Sequence, residues 1–178
     1  MKQLRMVKLN MADIPEANIP NGYELRALSA DEKIKWEALI EKMFNEKNSF
    51  QDRIENVTTF RDKHVLGIFH GDKLIATGTA LCNYAGDEPS GYACVHMIAA
   101  DSEHSGKKLG YEITAAVLRR MRECGFEKAE LTTDDFRLPA IKSYYNLGFI
   151  PDLSIDETMR GRWEAIYKTF GWELNGYI

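Results

Sequence analysis

The chain has 178 residues, 44% hydrophobic and 28% charged, which suits one globular domain with a sizeable core. A formal net charge of −4 gives it no general attraction to nucleic acid or an anionic membrane surface. No apolar run approaches the ~18 residues of a membrane-spanning helix, and the N-terminus lacks an apolar secretory core; a cytoplasmic protein without membrane contact is expected.

Residues 1–20 read as a lead-in ending at Pro20. Tyr23 to Leu28 alternates polar and apolar, as a half-buried strand does. Ser29 and Glu32 have capping-box spacing and open a helix carrying Trp36, Leu39, Ile40, Met43 and Phe44. A second, weaker helix is predicted over 49–61, with Phe50, Ile54, Val57 and Phe60. Two apolar runs, His64–His70 and Lys73–Ala80, flank Gly71-Asp72 and predict a hairpin. Residues 85–90 are a loop, and Gly91–Ala100 is a strand so apolar that both its faces should be covered.

Leu109, Ile113, Ala116, Val117, Met121 and Cys124 fall on one face of a helix ending at Gly125, with Glu112, Arg119, Arg122 and Glu123 largely opposite. Lys128–Thr133 is a strand, Leu138–Leu147 a short helix stopped by Gly148, and Phe149-Ile150 opens a last strand. Residues 156–178 form a C-terminal helix and tail, with Trp163, Ile166, Tyr167 and Phe170 facing the core or a homodimer contact. No linker or repeat divides the chain, so 1–178 is read as one α/β domain.

Three cysteines, Cys82, Cys94 and Cys124, are odd in number and widely spaced, which reads as buried thiols in a reducing compartment. The histidines His64, His70, His96 and His104 include neither an HExxH motif nor an i,i+4 pair, so no metal is expected.

The stretch His96–Gly110 organises the rest: a strand, a polar turn, then a helix start. The first N–H groups of a helix lack internal partners and carry a partial positive charge. Lys107 and Lys108 add two full charges, while Gly106 and Gly110 let the backbone come close to a bulky anion such as a pyrophosphate. Neither a P-loop nor a dinucleotide fingerprint is present.

Three motifs and the order of elements resemble the GNAT superfamily, the acyl-CoA-dependent N-acetyltransferases. They are Ile98-Ala99-Ala100 with Ser105–Gly110, then Glu123-Cys124-Gly125-Phe126, and Pro139-Ala140-Ile141-Lys142-Ser143-Tyr144-Tyr145-Asn146-Leu147-Gly148-Phe149. The last is close to the family's AI-x-x-Y-x-x-x-GF. In the loop, usually [Q/R]-x-x-G-x-[G/A], Ser105 and Lys108 depart from the pattern and Gly110 matches. The resemblance covers roughly residues 22–155. It implies a mixed central β-sheet flanked by helices in a layered sandwich, with acetyl-CoA as co-substrate and no metal.

The resemblance also implies roles. Ile98 and Ala100 would pair with the pantetheine, and the small Ala99 and Ala100 suit close approach. Backbone N–H groups of Ser105, Gly106, Lys107, Lys108, Leu109 and Gly110 would hold the pyrophosphate. Tyr144 occupies the general-acid position; a phenol of pKa about 10 suits protonation of a departing thiolate. Tyr145 is the competing phenol, and both also read as half-buried packing. His96, two residues before Ile98, should share its face and is a candidate base or a satisfied core residue. Asp134, Asp135, Asp87 and Glu88 are alternative bases, and Cys94 the alternative of a covalent route.

The expected activity is transfer of acetyl to a primary amine, a small molecule or an amino group of a larger acceptor, by direct attack in a ternary complex. Arg137, Arg160, Arg162 and Trp163 are candidates to contact acceptor or a second subunit. Rival readings are a non-catalytic acyl-CoA sensor on the same fold or a transferase with another acyl donor.

Overall fold

The computed structural model describes residues 2–178. In chain order its elements are β1 (Leu4–Lys8), β2 (Tyr23–Ala27), α1 (Lys33–Phe44), β3 (Asp62–His70), β4 (Lys73–Cys82), β5 (Tyr84–Ala85), β6 (Glu88–Pro89), β7 (Ala93–Ala100), α2 (Leu109–Glu123), β8 (Ala129–Thr133), α3 (Leu138–Asn146), β9 (Ile150–Asp152) and α4 (Met159–Phe170). Seven strands form one sheet in the order β2-β3-β4-β7-β8-β1-β9. All neighbours are antiparallel except β7 and β8. Among the described residues no helix is long and apolar enough to cross a membrane.

Three segments differ from the sequence reading; in the smallest, the loop expected over 85–90, β5 and β6 pair as a short hairpin. The supposed lead-in contains β1, which lies inside the sheet between β8 and β9. Leu4, Met6 and Val7 are fully buried there, but five residues interrupted by Arg5 carry too little pattern to read as a strand. The helix predicted over 49–61 shrinks to one π-helical turn, Gln51–Glu55. Phe50 and Ile54 are buried and fix that turn against α1, while Val57 and Phe60 lie in irregular backbone beyond it. The Ser29–Glu32 capping box is present, over a short 3-10 turn that leads into α1.

The sheet has helices on both faces. Trp36, Leu39 and Ile40 of α1 pack on Phe69, Leu74 and Ala99. Leu109 and Ile113 of α2 pack on Ile68 and Ile75, and Val117, Leu118 and Met121 continue into the main cluster with Leu4, Ala80 and Val95. Each such fully buried aliphatic side chain contributes roughly 1.5–3 kcal/mol. Helix α2 is buried nearly all round; even Glu112 is buried, its carboxylate accepting the Asn18 N–H at 2.7 Å. The C-terminal tail returns to β9, where Ile178 donates to the Pro151 carbonyl and accepts from Leu153 N–H.

Candidate active site

Strands β7 and β8 pair in parallel only at Ala93–Ala129 and Cys94–Glu130. Beyond Cys94 they part. On its other edge β7 stays bonded to β4 as far as Ala100. The edge facing β8 is therefore unpaired beyond Val95, and a cleft of about 770 Å³ opens beside its far end.

The pairing of β7 with β4 is interrupted. Thr77 faces Ala99, Thr79 faces His96, and Gly78 alone spans Met97 and Ile98. Met97 takes a φ of 51°, a left-handed conformation in the middle of a strand, so this is a β-bulge. A Cβ on Gly78 would come within 2.5 Å of Ile98 Cδ1 and 3.0 Å of Val117 Cγ2, so any other residue opposite the bulge would displace those side chains. The extra residue reverses the alternation of side chains. Ile98 packs with Ile113 on the α2 face, while Met97 and Ala99 join α1. His96 is turned toward the Gln51–Glu55 turn, where its Nε2–H donates to the Arg53 carbonyl at 3.0 Å. Burial holds its imidazole below the ordinary value, against the opposing Arg53 carbonyl. The expected common face of His96 and Ile98 is thus not found.

Past β7 the chain is pinned by Asp101. Its N–H donates to the Ile75 carbonyl at 2.8 Å. Its buried carboxylate accepts from Lys42 Nζ at 2.8 and 3.0 Å and from the Glu103 N–H at 3.1 Å, with Lys73 Nζ at 3.3 Å. Burial would raise this carboxyl; those partners, Lys42 first, overcome burial and hold it down at about 2. A 3-10 turn, Ser102–His104, follows, with His104 Nδ1 2.6 Å from the Tyr23 hydroxyl. Gly106 has a φ of 80° and Lys108, the residue before α2, a φ of 57°. From Gly106 to Gly110 no backbone N–H donates to a protein acceptor among the described residues. Of these five residues Gly106, Lys108, Leu109 and Gly110 line the cleft, around the positive end of a 15-residue helix.

The cleft walls bring together most of the residues singled out in the sequence. Ile98, Ala99 and Ala100 line it from β7, and Ser105, Gly106, Lys108, Leu109 and Gly110 from the turn and α2. Tyr144 lines it from α3. Lys107 and His96 are not on its walls. Tyr144 is 6% exposed, set edge-on to Phe149. Burial pushes its phenol up to about 12, against the opposing pull of the Arg137 guanidinium, so it is protonated throughout the neutral range. Tyr145 turns away and stacks on Trp172 with ring centroids 4.0 Å apart. Cys94 is likewise off the walls, its thiol pushed up to about 12 by burial, foremost. Asp134 and Asp135 are engaged with Arg137 and Arg162, and Asp87 faces Arg61 at 3.3 Å.

Sequence reasoning missed part of the wall. Met43 and Phe44 at the end of α1 close one side, with the Arg137 guanidinium 4.5 Å over the Phe44 ring. Helical spacing marked both residues as core, and nothing in it says that α1 ends at a cleft. Asp101 was also missed, though an Asp followed by Ser-Glu-His is a readable turn cap.

The chain from residue 28 to 149 matches the model of the Acetyltransferase (GNAT) family. A comparison with curated proteins finds no match. Among solved structures, a GCN5-related N-acetyltransferase from Kribbella flavida aligns with TM-score 0.60 and 19% identity, over 85% of this chain and 55% of its own. The chain thus spans about half the length of that protein. An aminoglycoside acetyltransferase from an uncultured soil metagenomic sample aligns with TM-score 0.59 and 18% identity, over 73% and 90%. AAC(6')-Iy, solved with the bisubstrate analog CoA-S-monomethyl-acetylneamine, aligns with TM-score 0.58 and 14% identity, over 71% and 89%. At these identities the likeness is one of fold.

Proposed function

This chain belongs to the GNAT acetyltransferase family, and on that premise we propose that it transfers an acetyl group from acetyl-CoA to a primary amine by direct attack. The observation that carries this reading is one cleft joining the free backbone donors of Gly106, Lys108, Leu109 and Gly110, the unpaired edge of β7 and one buried phenol.

Acetyl-CoA supplies the activated thioester. The N–H groups of Gly106 to Gly110, the α2 dipole and Lys108 suit its pyrophosphate. The open edge of β7 suits the amide-rich pantetheine as an added strand. Positioning of this kind makes the encounter effectively unimolecular, worth up to roughly 7–11 kcal/mol.

As the amine nitrogen bonds the carbonyl carbon, the C–S bond breaks. The sulfur then needs a proton, and Tyr144, the buried phenol of the cleft wall, holds one throughout the neutral range. The proton lost by the amine goes to solvent in the cleft. Asp101 acts indirectly: Lys42 and Lys73 tie it to α1 and β4, fixing where β7 hands over to the turn.

The test is release of CoA thiol from acetyl-CoA with a panel of amines, wild type beside Tyr144→Phe. Amine-dependent release is expected, with kcat of the variant reduced by about 10²–10⁴ at little change in the KM for acetyl-CoA. If no amine raises release above background, the reading as a transferase fails. If acetyl-CoA nevertheless binds, the sensor reading replaces it.

A further inference from the structure

At the other end of α2, about 22 Å along the helix from its first residue, three side chains from three elements converge. His64 comes from β3, Cys82 from the end of β4, and Cys124 is the residue that ends α2. One ligand atom from each lies within 4.8 Å of the other two. Cys124 Sγ is 3.6 Å from His64 Nε2. A tetrahedral zinc, with Zn–S about 2.3 Å and Zn–N about 2.0–2.1 Å, sets such a pair about 3.6 Å apart. Cys82 is buried while His64 and Cys124 are half-buried, so the cluster is within reach of an ion from solvent. The acetyl-transfer reading uses none of the three.

We propose that His64, Cys82 and Cys124 bind one thiophilic divalent cation of the zinc class, a structural site that ties the C-terminal end of α2 to the β3–β4 pair. Two thiolates with one imidazole select borderline-soft metals over magnesium or calcium. Three protein ligands leave one position for water.

The present hydrogen bonds show what must change. Arg120 Nη2 lies 3.4 Å from His64 Nδ1, and a guanidinium only donates. His64 therefore carries its proton on Nε2, directed at Cys124 Sγ. The metal takes that place. The imidazole proton moves to Nδ1, the two thiol protons go to water, and Arg120 leaves for Glu123, already 3.0 Å away. Arg120 is 40% exposed at its side chain and free to make that move.

The test uses the whole chain, reduced with a phosphine and stripped of metal by a chelator. Titration with Co²⁺ is expected to saturate at one equivalent, with ligand-field bands of tetrahedral cobalt and a thiolate charge-transfer band. Zn²⁺ should bleach both and raise Tm. Cys124→Ser and Cys82→Ala should each lose most of the charge-transfer intensity, and Cys94→Ala should keep all of it. Absence of the bands in reduced wild type overturns the proposal without recourse to any variant. So does a spectrum that survives in folded Cys124→Ser, or a Cys82–Cys124 disulfide that forms in air while the reduced protein ignores cobalt.

Discussion

His96 and Ile98, two residues apart on β7, face opposite sides of the sheet because Met97 between them takes a φ of 51° and opens a bulge across from Gly78. Strand alternation would have put both side chains on one face; with the bulge Ile98 lines the cleft on the α2 side and His96 turns to the Arg53 carbonyl. A group off the cleft wall cannot take a proton directly from a bound amine. His96→Gln, which can keep a donor to that carbonyl, should change kcat/KM by less than about threefold, against the 10²–10⁴ that a general base contributes. Steady-state kinetics on the best amine of the panel decides this.

The same burial makes His96 a pH liability for the fold. Its folded-state pKa lies below 6.5, so under mildly acidic conditions the unfolded chain binds the extra proton and the folded one resists it. Stability from this group is complete above about 6.5 and declines as pH falls below that value. Thermal unfolding at about pH 7.5 and 5.5 should show Tm falling on acidification. His96→Gln should show a smaller fall, since its side chain does not titrate.

Much of this was legible in the sequence, and the failures have causes. Helix α2, the β3–β4 hairpin and the Tyr144 motif are each fixed by local pattern: helical spacing, a Gly-Asp turn, a run of motif residues. Strand β1 carries too few residues for its pattern to speak, and its place between β8 and β9 is decided by long-range pairing. The Met97 bulge is invisible because methionine gives no hint of a positive φ. The His64–Cys82–Cys124 cluster escapes a search for metal motifs since its members are 18 and 42 residues apart (82 less 64, 124 less 82) and meet only through the sheet. Each of these depends on what lies across the sheet, which local spacing does not encode.

Two threonines on β4 should respond oppositely to the same substitution. Thr77 Oγ1 donates to the Leu66 carbonyl at 2.9 Å. Thr79 Oγ1 is equally buried and has no partner among the described residues. A buried hydroxyl without a hydrogen bond costs about 1–3 kcal/mol, while a satisfied one contributes about 0.5–1.5. Thr79→Val should therefore raise the unfolding free energy and Thr77→Val lower it, each by about 1 kcal/mol. Urea unfolding of the pair beside wild type measures both.

Lys108 holds a φ of 57° at the entrance to α2, a conformation that costs an L-residue about 1–2 kcal/mol and costs glycine little. Its charge nonetheless lines the cleft. Lys108→Gly and Lys108→Ala separate the two contributions. Both remove the charge and should weaken acetyl-CoA binding alike. Only glycine releases the backbone, so only Lys108→Gly should gain in Tm. Equal stabilities for the two variants would mean that the conformation is not strained.

Gly110 gives the sharpest test of where the pyrophosphate lies. It is the second residue of α2, it has no positive φ, and a Cβ built on it meets nothing within 4 Å. The fold therefore has no need of glycine here, and by helix preference alanine should stabilise the free protein by about 0.5–1 kcal/mol. Yet the position lines the cleft beside the free N–H groups, where the proposed acetyl-CoA would bring its pyrophosphate against backbone. A methyl group there would hold the anion off those donors. Gly110→Ala should thus show a higher Tm without ligand and a KM for acetyl-CoA raised about tenfold, the loss of about one charge-assisted hydrogen bond. The two readouts move in opposite senses, so general damage to the fold cannot imitate the result. A variant that gains stability and binds acetyl-CoA as well as wild type would put the pyrophosphate elsewhere along the turn.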